Sequence, residues 1–291
     1  MMLTYEGPVF RPPSEANSLI IQATIGCSNN TCTFCVSYKG KRFRIREFKE
    51  IQKEVILIKK YGYRFRRIFL ADGNALSIPQ EDLIRILDLF KSEFPFVERI
   101  SAYACSSDIL EKNQEELSDL KESGLTLLYH GLESGDEEVL KLVKKRQPAV
   151  DAVEASLKLK KAGIKLSTII ILGLGGKKRS EQHAINTGKI VSMMKPEYLA
   201  ALTLMVVPGS AIERQISEGE LTPLSPVESL KELKMIIENI EGLSGTVFRT
   251  NHASNYLNLA GKLCEDKEKM LELLNSVDES TFLKPEWARG L

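Results

Sequence analysis

The chain has 291 residues, of which 43% are apolar and 27% are charged, which is ordinary for a folded globular protein. Forty basic residues nearly balance 39 acidic ones, so the formal charge of +1 marks neither a nucleic acid nor a membrane as partner. Composition excludes disorder, collagen and coiled coil, and no apolar run is long enough to span a bilayer. The N-terminal residues lack the basic and apolar regions of a secretion signal, so we expect a cytoplasmic protein.

Short β-branched runs alternate along the chain with longer segments whose apolar residues recur at helical spacing. The predicted strands are residues 19–24, 67–71, 99–104, 126–132, 165–172 and 198–207. The predicted helices are residues 48–61, 79–94, 115–123, 136–143, 151–162 and 180–194. Near-continuous apolar strands separated by helices favour an α/β fold with a parallel sheet. Six βα units are fewer than the eight of a closed barrel, so we predict a partial (βα)6 TIM-like barrel, open on one side.

The pattern changes beyond residue 220. Ser225 and Glu228 form a capping box with Pro226 at the first helical position, which predicts a helix to about Asn239. A strand-like run at residues 246–249 leads into a polar, asparagine-rich segment, and a last helix is predicted over residues 267–277. We therefore expect residues 1–220 to form the barrel and residues 221–291 to form a helical and loop extension that caps it.

Three of the five cysteines fall within nine residues: Cys27, Cys32 and Cys35 follow the first predicted strand directly. Clustered thiolates on a loop are typical ligands of zinc or of an iron–sulfur cluster. A structural zinc needs a fourth protein ligand, and the later cysteines and histidines are scattered along the chain. Three cysteines on an iron–sulfur cluster would leave one iron open to a further ligand. The pattern therefore favours iron–sulfur over zinc.

This triad, with the aromatic Phe34 before its third cysteine, resembles the radical S-adenosylmethionine (SAM) enzymes. The spacing here is C-x4-C-x2-C, one residue longer than the family's usual C-x3-C-x2-C. The resemblance implies that Cys27, Cys32 and Cys35 hold a [4Fe–4S] cluster whose open iron binds SAM. It also implies an electron donor such as flavodoxin or ferredoxin.

A second motif resembles the methylthiotransferase and Elongator-catalytic-subunit branch of that family. Gly131-Leu132-Glu133-Ser134-Gly135 ends the fourth predicted strand and matches the signature G-x-E-S-G. The resemblance implies that Glu133 faces the amino or ribose groups of SAM and that Lys145 pairs with the SAM carboxylate. Read from the residues alone, Glu133 and Ser134 could instead cap the following helix, and Lys145 could be a solvated helix end.

The remaining implied cofactor contacts also follow strands. Asp72-Gly73-Asn74 takes the place of the family's loop for the SAM amino group, although the same residues are ordinary in turns. Gly173 would let the backbone pass close to adenine, and Val207 would complete the adenine pocket. The full set of implied cofactor contacts is Phe34, Asp72, Gly73, Asn74, Glu133, Ser134, Lys145, Gly173 and Val207.

The resemblance implies an enzyme that cleaves SAM reductively to a 5′-deoxyadenosyl radical and starts radical chemistry on a substrate. The sequence does not identify that substrate, which we expect to be a small molecule. Arg249 and His252 lie in the polar segment after residue 248 and are the predicted catalytic residues of a substrate-facing wall. A well-hydrogen-bonded loop with Asx turns would explain the same residues.

Two alternative functions remain. Residues 36–67 carry twelve Lys or Arg against three Glu, interleaved with aromatic residues, which is typical of a nucleic-acid surface. The chain could then be a radical SAM enzyme that modifies tRNA or rRNA, although a solvated helix face would carry the same charges. The other alternative is a non-catalytic module with a structural zinc.

Overall fold

The computed structural model describes residues 5–278 and 280–290, and the chain divides into two compact units. The first unit contains Met1–Asn30, Ser37–His130 and Leu157–Leu166. The second contains Thr31–Val36, Gly131–Ser156 and Ser167–Leu291. This division differs from the boundary expected at residue 220, which stays a prediction from the sequence.

Strands and helices alternate through both units. The strands are β1 (Leu19–Gln22), β2 (Thr24–Ile25), β3 (Arg44–Ile45), β4 (Arg67–Ala71), β5 (Arg99–Ala104), β6 (Leu125–Glu133), β7 (Lys165–Leu172), β8 (Tyr198–Thr203), β9 (Val247–Arg249) and β10 (Ala260–Lys262). The helices are α1 (Phe48–Tyr61), α2 (Gln80–Glu93), α3 (Ser106–Glu111), α4 (Gln114–Glu122), α5 (Glu137–Leu142), α6 (Ala149–Lys161), α7 (Gly176–Met194), α8 (Ala211–Ser217), α9 (Pro226–Glu238) and α10 (Lys267–Asn275).

The first unit is built on parallel strands. β1 pairs with β4, β4 with β5, and β5 with β6, all in parallel. Helix α1 buries Ile51, Val55 and Ile58, the face that its helical spacing predicted. Because the strands run the same way, the loops that follow β4 and β5 leave from one edge of this sheet. That edge carries Asp72 to Asn74.

The second unit continues the same architecture and ends differently. β7 pairs in parallel with β8 and β8 with β9, whereas β10 is antiparallel to β9. Strand β8 ends at Thr203, four residues before its predicted end. The amide of Ser210 donates to the carbonyl of Val207 at 3.0 Å, so Val207 lies in a turn and not on a strand.

Both units therefore have the predicted α/β class, with a sheet that is mostly parallel. Within residues 5–278 and 280–290, no helix combines the length and the apolar character that crossing a membrane requires.

Candidate active site

The loop after β4 braces the start of the cysteine loop. Asp72 is fully buried, and its Oδ2 accepts hydrogen bonds from the Nζ of Lys41 at 2.7 Å and the amide of Gly26 at 3.0 Å. Gln22 donates to the same oxygen at 3.2 Å. Since Gly26 precedes Cys27, the carboxylate fixes the backbone that enters the triad. The partner Lys41 was not predicted, although a buried carboxylate requires a charge of opposite sign nearby.

Gly73 lies directly against the first cysteine. A Cβ atom at this position would be 2.6 Å from the Cβ of Cys27 and 3.1 Å from its Sγ, which leaves no room for a side chain. The amide of Gly73 also donates to the carbonyl of Gly26 at 3.0 Å. The predicted turn residue is therefore required by a close approach to Cys27.

The amide of Asn74 is held in one orientation. Its Nδ2 donates to Ser28 Oγ at 2.8 Å and to Asp108 Oδ2 at 2.6 Å. Its Oδ1 is buried and accepts no hydrogen bond from the described residues. Burial raises the pKa of Asp108, and the bond from Asn74 offsets part of that rise. The arrangement leaves a buried acceptor beside the cysteine loop, which suits the N–H donors of a ligand.

The donor set of the triad suits a soft metal centre. The five cysteines of the chain form no disulfide; Cys32 is buried, and Cys27 and Cys35 are half-buried. Among the residues that the structure describes, no group of three or more His, Cys, Asp or Glu side chains is arranged to hold a metal ion. The ligand role of the triad therefore stays a prediction. The chemistry of these groups suits an iron–sulfur cluster with SAM, because thiols are the ligands of such clusters and the Asn74 acceptor suits an N–H donor.

In the second unit, Glu133 and Lys145 form an ion pair. Their Oε1 and Nζ atoms are 3.2 Å apart, and the two side chains are 13% and 9% exposed. A Cβ at Gly131 would overlap the carboxylate, so this glycine lets Glu133 fold back. Glu133 has a φ of 64°, the left-handed region that non-glycine residues seldom adopt. Two residues predicted to contact SAM are thus neighbours at the end of β6.

Ser134 begins a buried polar network that the sequence did not predict. A 2.7 Å hydrogen bond joins its Oγ to Nδ1 of His183 on α7. The Nε2 of His183 is 3.6 Å from Oε1 of Glu232 on α9, and that oxygen accepts from the amide of Gly173 at 2.6 Å. Glu232 also accepts from Ser180 Oγ at 2.5 Å. The network joins the loop after β6 to the loop after β7.

The capping alternative for Glu133 is wrong, because Asp136 caps α5. Its Oδ1 accepts from the amide of Val139 at 3.0 Å, and its Oδ2 is 2.8 Å from a guanidinium nitrogen of Arg179. Burial alone would raise the pKa of Asp136, but the bond to Arg179 and the capped amide lower it. Ser134 contributes locally, since its Oγ accepts from the amide of Asp136 at 2.9 Å.

Phe34 is partly buried against an apolar cluster of the second unit. The buried members of this cluster are Val139, Val143, Ile171, Leu174, Ile212 and Leu221. The amide of the preceding Thr33 donates to the carbonyl of Val143 at 2.9 Å. The ring therefore anchors the cysteine segment, whatever its backbone contacts.

The two predicted substrate residues, Arg249 and His252, lie in different surroundings. Arg249 ends β9, is exposed, and makes no hydrogen bond or ion pair within the described chain. His252 Nδ1 accepts from the amide of Ser254 at 3.2 Å and shares a 2.9 Å hydrogen bond with its hydroxyl. Burial lowers the pKa of His252, and Lys284 lowers it further. Because Nδ1 accepts from the Ser254 amide, the neutral ring carries its proton on Nε2.

A small cavity of about 140 Å³ lies beside Gly173. Val206 lines it rather than the predicted Val207. Arg289 forms another wall: its side chain is 2% exposed and donates to the carbonyls of Leu204 at 2.9 Å and Ser254 at 2.6 Å. No sequence signal pointed to Arg289, because an arginine twelve residues after the last predicted helix normally lies in solvent.

The sequence matches the Radical SAM superfamily over residues 21–187, which is more than half of the chain. The protein therefore belongs to this superfamily and is a radical SAM enzyme. Enzymes of the family use a [4Fe–4S] cluster and SAM. The spacing of Cys27, Cys32 and Cys35 fits the family's cysteine motif. The non-catalytic zinc alternative is wrong.

Known relatives support the family and differ in length. The chain is 26% identical over 279 residues to an uncharacterized protein of Methanocaldococcus jannaschii, covering 91% of this chain and 78% of that protein. A second protein of that organism, described as a methylthiotransferase, is 27% identical over 166 residues, with 53% and 35% covered. The Escherichia coli radical SAM enzyme coproporphyrinogen III oxidase has a similar fold, with a TM-score of 0.61 and 19% identity. That match covers 76% of this chain and 51% of the oxidase, so the chain spans about half of the oxidase and a third of the methylthiotransferase. Neighbours of this kind have the partial TIM-barrel fold that the sequence predicted.

Proposed function

We propose that this radical SAM enzyme acts on a small molecule, with Cys27, Cys32 and Cys35 as the ligands of its cluster. The main support for the proposal is the set of contacts that holds the start of the cysteine loop in place. Buried Asp72 holds the amide before Cys27, and Gly73 leaves room for that cysteine. When bound and reduced, the cluster supplies the electron that breaks a carbon–sulfur bond of SAM.

The chain's own residues would bind and orient SAM. The open Oδ1 of Asn74 would accept from the SAM ammonium group, which carries the donors that this buried acceptor lacks. Lys145 would bind the SAM carboxylate and Glu133 the ammonium or ribose groups, so the ion pair between them would exchange for ligand contacts. Ser134, Gly173 and the half-buried Phe34 would hold the surrounding loops.

A small-molecule substrate is supported over RNA by the pairing of the basic segment. Five of the twelve basic side chains of residues 36–67 lie within 4 Å of a carboxylate. These are Lys41, Arg44, Arg46, Lys59 and Arg66. A basic side chain that pairs with a carboxylate is less available for the phosphate contacts that RNA binding needs.

Arg249 and His252 are proposed to face the substrate. The guanidinium of Arg249 is available for a carboxylate or phosphate, and neutral His252 has an Nε2 proton to donate. Arg249→Ala and His252→Ala should retain the cluster and cleave SAM without substrate, yet lose turnover of the substrate. Wild-type turnover in both variants would assign this segment a structural role.

Reductive cleavage is tested with anaerobically reconstituted protein, SAM and dithionite. Mass spectrometry should find methionine and 5′-deoxyadenosine in equal amounts, and Asn74→Ala should weaken SAM binding by about tenfold. Asn113→Ala, which removes an exposed helix cap, is the matched control and should leave SAM affinity unchanged. Protein that holds iron and sulfide but releases neither product would contradict the proposal.

A further inference from the structure

A second cavity, of about 300 Å³, lies in the first unit where the chain leaves β4 and β5. Its volume is at the lower end of the range of about 300–1,000 Å³ that small-molecule pockets occupy. The polar residues that line it are Ser77, Gln80, Asp108, Glu111, Lys112 and Glu116. None of these residues has a role in the proposed SAM contacts, although Asp108 hydrogen-bonds to Asn74 at 2.6 Å.

Lys112 is the unusual member of this lining. It is only 8% exposed, yet its ammonium group makes no hydrogen bond or ion pair with any residue that the structure describes. Lysines are seldom buried to this degree without a partner. Burial lowers the pKa of Lys112, and the charges of Glu116, Asp108 and Glu111 oppose that effect from a distance.

The position of Lys112 is fixed by its backbone. The Nζ of Lys158, on α6, donates to the carbonyl of Leu110 at 2.9 Å and also to the carbonyl of Lys112. The backbone of the turn between α3 and α4 is therefore held in place by Lys158. A largely buried lysine that lines a cavity and lies on a braced turn can bind an anionic ligand.

Gln80 requires a hydrogen-bond donor from the ligand, whereas Lys112 requires an acceptor. Its Nε2 donates to the carbonyl of Glu116 at 2.8 Å, which fixes the amide, and its buried Oε1 accepts nothing within the described residues. That oxygen calls for an N–H or O–H donor. A complementary ligand must therefore bring both an acidic group for Lys112 and a donor for Gln80.

The surrounding carboxylates decide which acid fits. Asp108, Glu111 and Glu116 would repel a phosphate dianion, whereas a carboxylate that carries its own ammonium group adds no net charge. The ammonium would then lie toward these carboxylates and the Gln80 oxygen. We propose that this cavity binds a small α-amino acid, with the ligand carboxylate on Lys112 and the ligand ammonium on Gln80 and Asp108.

Ligand-detected saturation-transfer NMR on the anaerobically reconstituted full chain, without SAM, tests the site. The panel contains L-α-amino acids other than methionine, which is part of SAM, together with isobutyrate, isopropylamine and inorganic phosphate. At least one amino acid should bind, and the acid and amine fragments should each bind at least about tenfold more weakly. Absence of amino-acid binding, or preferred binding of phosphate, would overturn the proposal.

Lys112→Met should weaken amino-acid binding by at least about tenfold, whereas Lys160→Met, an exposed lysine on α6, should not change it. Unchanged binding by Lys112→Met would refute the assignment. If that variant does not fold, the wild-type protein gives the answer: the bound amino acid should protect Lys112, and not Lys160, from acetylation read by mass spectrometry. Equal labelling with and without the amino acid would overturn the site.

SAM cleavage is measured in parallel, so the two proposals fail separately. Lys112→Met should still cleave SAM. Wild-type protein that forms 5′-deoxyadenosine but binds no amino acid refutes this inference alone. Protein that binds an amino acid through Lys112 but does not cleave SAM refutes only the proposed function.

Discussion

Glu133 combines three features that rarely coincide in a purely structural residue. It is largely buried, it is paired with Lys145 at 3.2 Å, and its backbone lies in the left-handed region. A left-handed non-glycine residue costs of order 1–3 kcal/mol, which the rest of the structure must offset. Backbone strain of this kind clusters at ligand sites, so the carboxylate is better explained by a ligand than by helix capping.

Replacing this carboxylate should weaken SAM binding more than folding. Glu133→Gln removes a charge-assisted contact of about 1.5–3 kcal/mol, so the SAM dissociation constant should rise by at least about tenfold. Calorimetric titration of the reconstituted protein measures it. Glu138→Gln, an exposed residue paired only with Lys141, is the matched control. Equal SAM affinity in both variants would return Glu133 to a structural role.

His252 gives a pH dependence whose sign follows from its surroundings. Burial and Lys284 hold its pKa below the unfolded value of about 6.5, so the folded protein resists protonation. As pH falls from about 7 to about 5, the unfolded chain gains a proton that the folded chain disfavours, and stability decreases. His252→Gln should therefore lose less melting temperature over this interval than the wild type. Parallel melting curves for the two proteins, with the same slope against pH, would contradict this assignment.

At the scale of elements, periodicity located most of the strands and helices. The predicted and observed bounds agree for α1, β4, β5 and β7; glycine directly follows α1 and β7, and Asp72 and Cys105 follow β4 and β5. β3, α3, α8 and β10 were missed, since strands of two or three residues and helices of six or seven are too short to show a period. β8 was predicted too long because apolar residues continue into a turn.

The position of a site residue relative to strands and helices explains whether it could be predicted from the sequence. Cys27 and the pair Asp72 and Gly73 come just after strands, and Glu133 is the last residue of β6, so strand prediction placed these residues at strand ends. His183 and Glu232 lie inside helices, far along the chain from the loops that they contact. Their only signal is a polar residue on an otherwise apolar helical face: Glu232 shares its buried face with Ser229, Leu233 and Ile236.

Helix α9 is expected to stabilise the loop after β7 through Glu232. Glu232→Ala would leave the amide of Gly173 and the hydroxyl of Ser180 buried without their acceptor. Each lost partner costs about 1–3 kcal/mol, so the melting temperature should fall by several degrees and SAM affinity should decrease. Glu238→Ala, an exposed change on the same helix, controls for helix propensity. A melting temperature unchanged in Glu232→Ala would show that the network is not stabilising.

For the whole molecule, metal loading should be linked to stability. A cluster that binds the folded chain more tightly than the unfolded chain stabilises the folded state by mass action. The two cysteines outside the triad lie elsewhere in the chain: Cys105 precedes α3, and Cys264 is exposed and donates to the carbonyl of Leu243. The five cysteines should therefore fall into two classes when replaced.

Alanine at Cys27, Cys32 or Cys35 should abolish iron and sulfide incorporation during anaerobic reconstitution, because an iron lacking its thiolate is not retained by a three-ligand site. The same variants should lose the rise in melting temperature that reconstitution gives the wild type. Cys105→Ala and Cys264→Ala are the controls within the chain and should keep both the iron content and that rise. Loss of iron in either control would indicate a ligand beyond the triad. Full iron content in a triad variant would show that the replaced cysteine is not a cluster ligand. Measuring iron together with melting temperature separates a ligand from a folding residue, since a folding defect lowers the melting temperature even before metal is added.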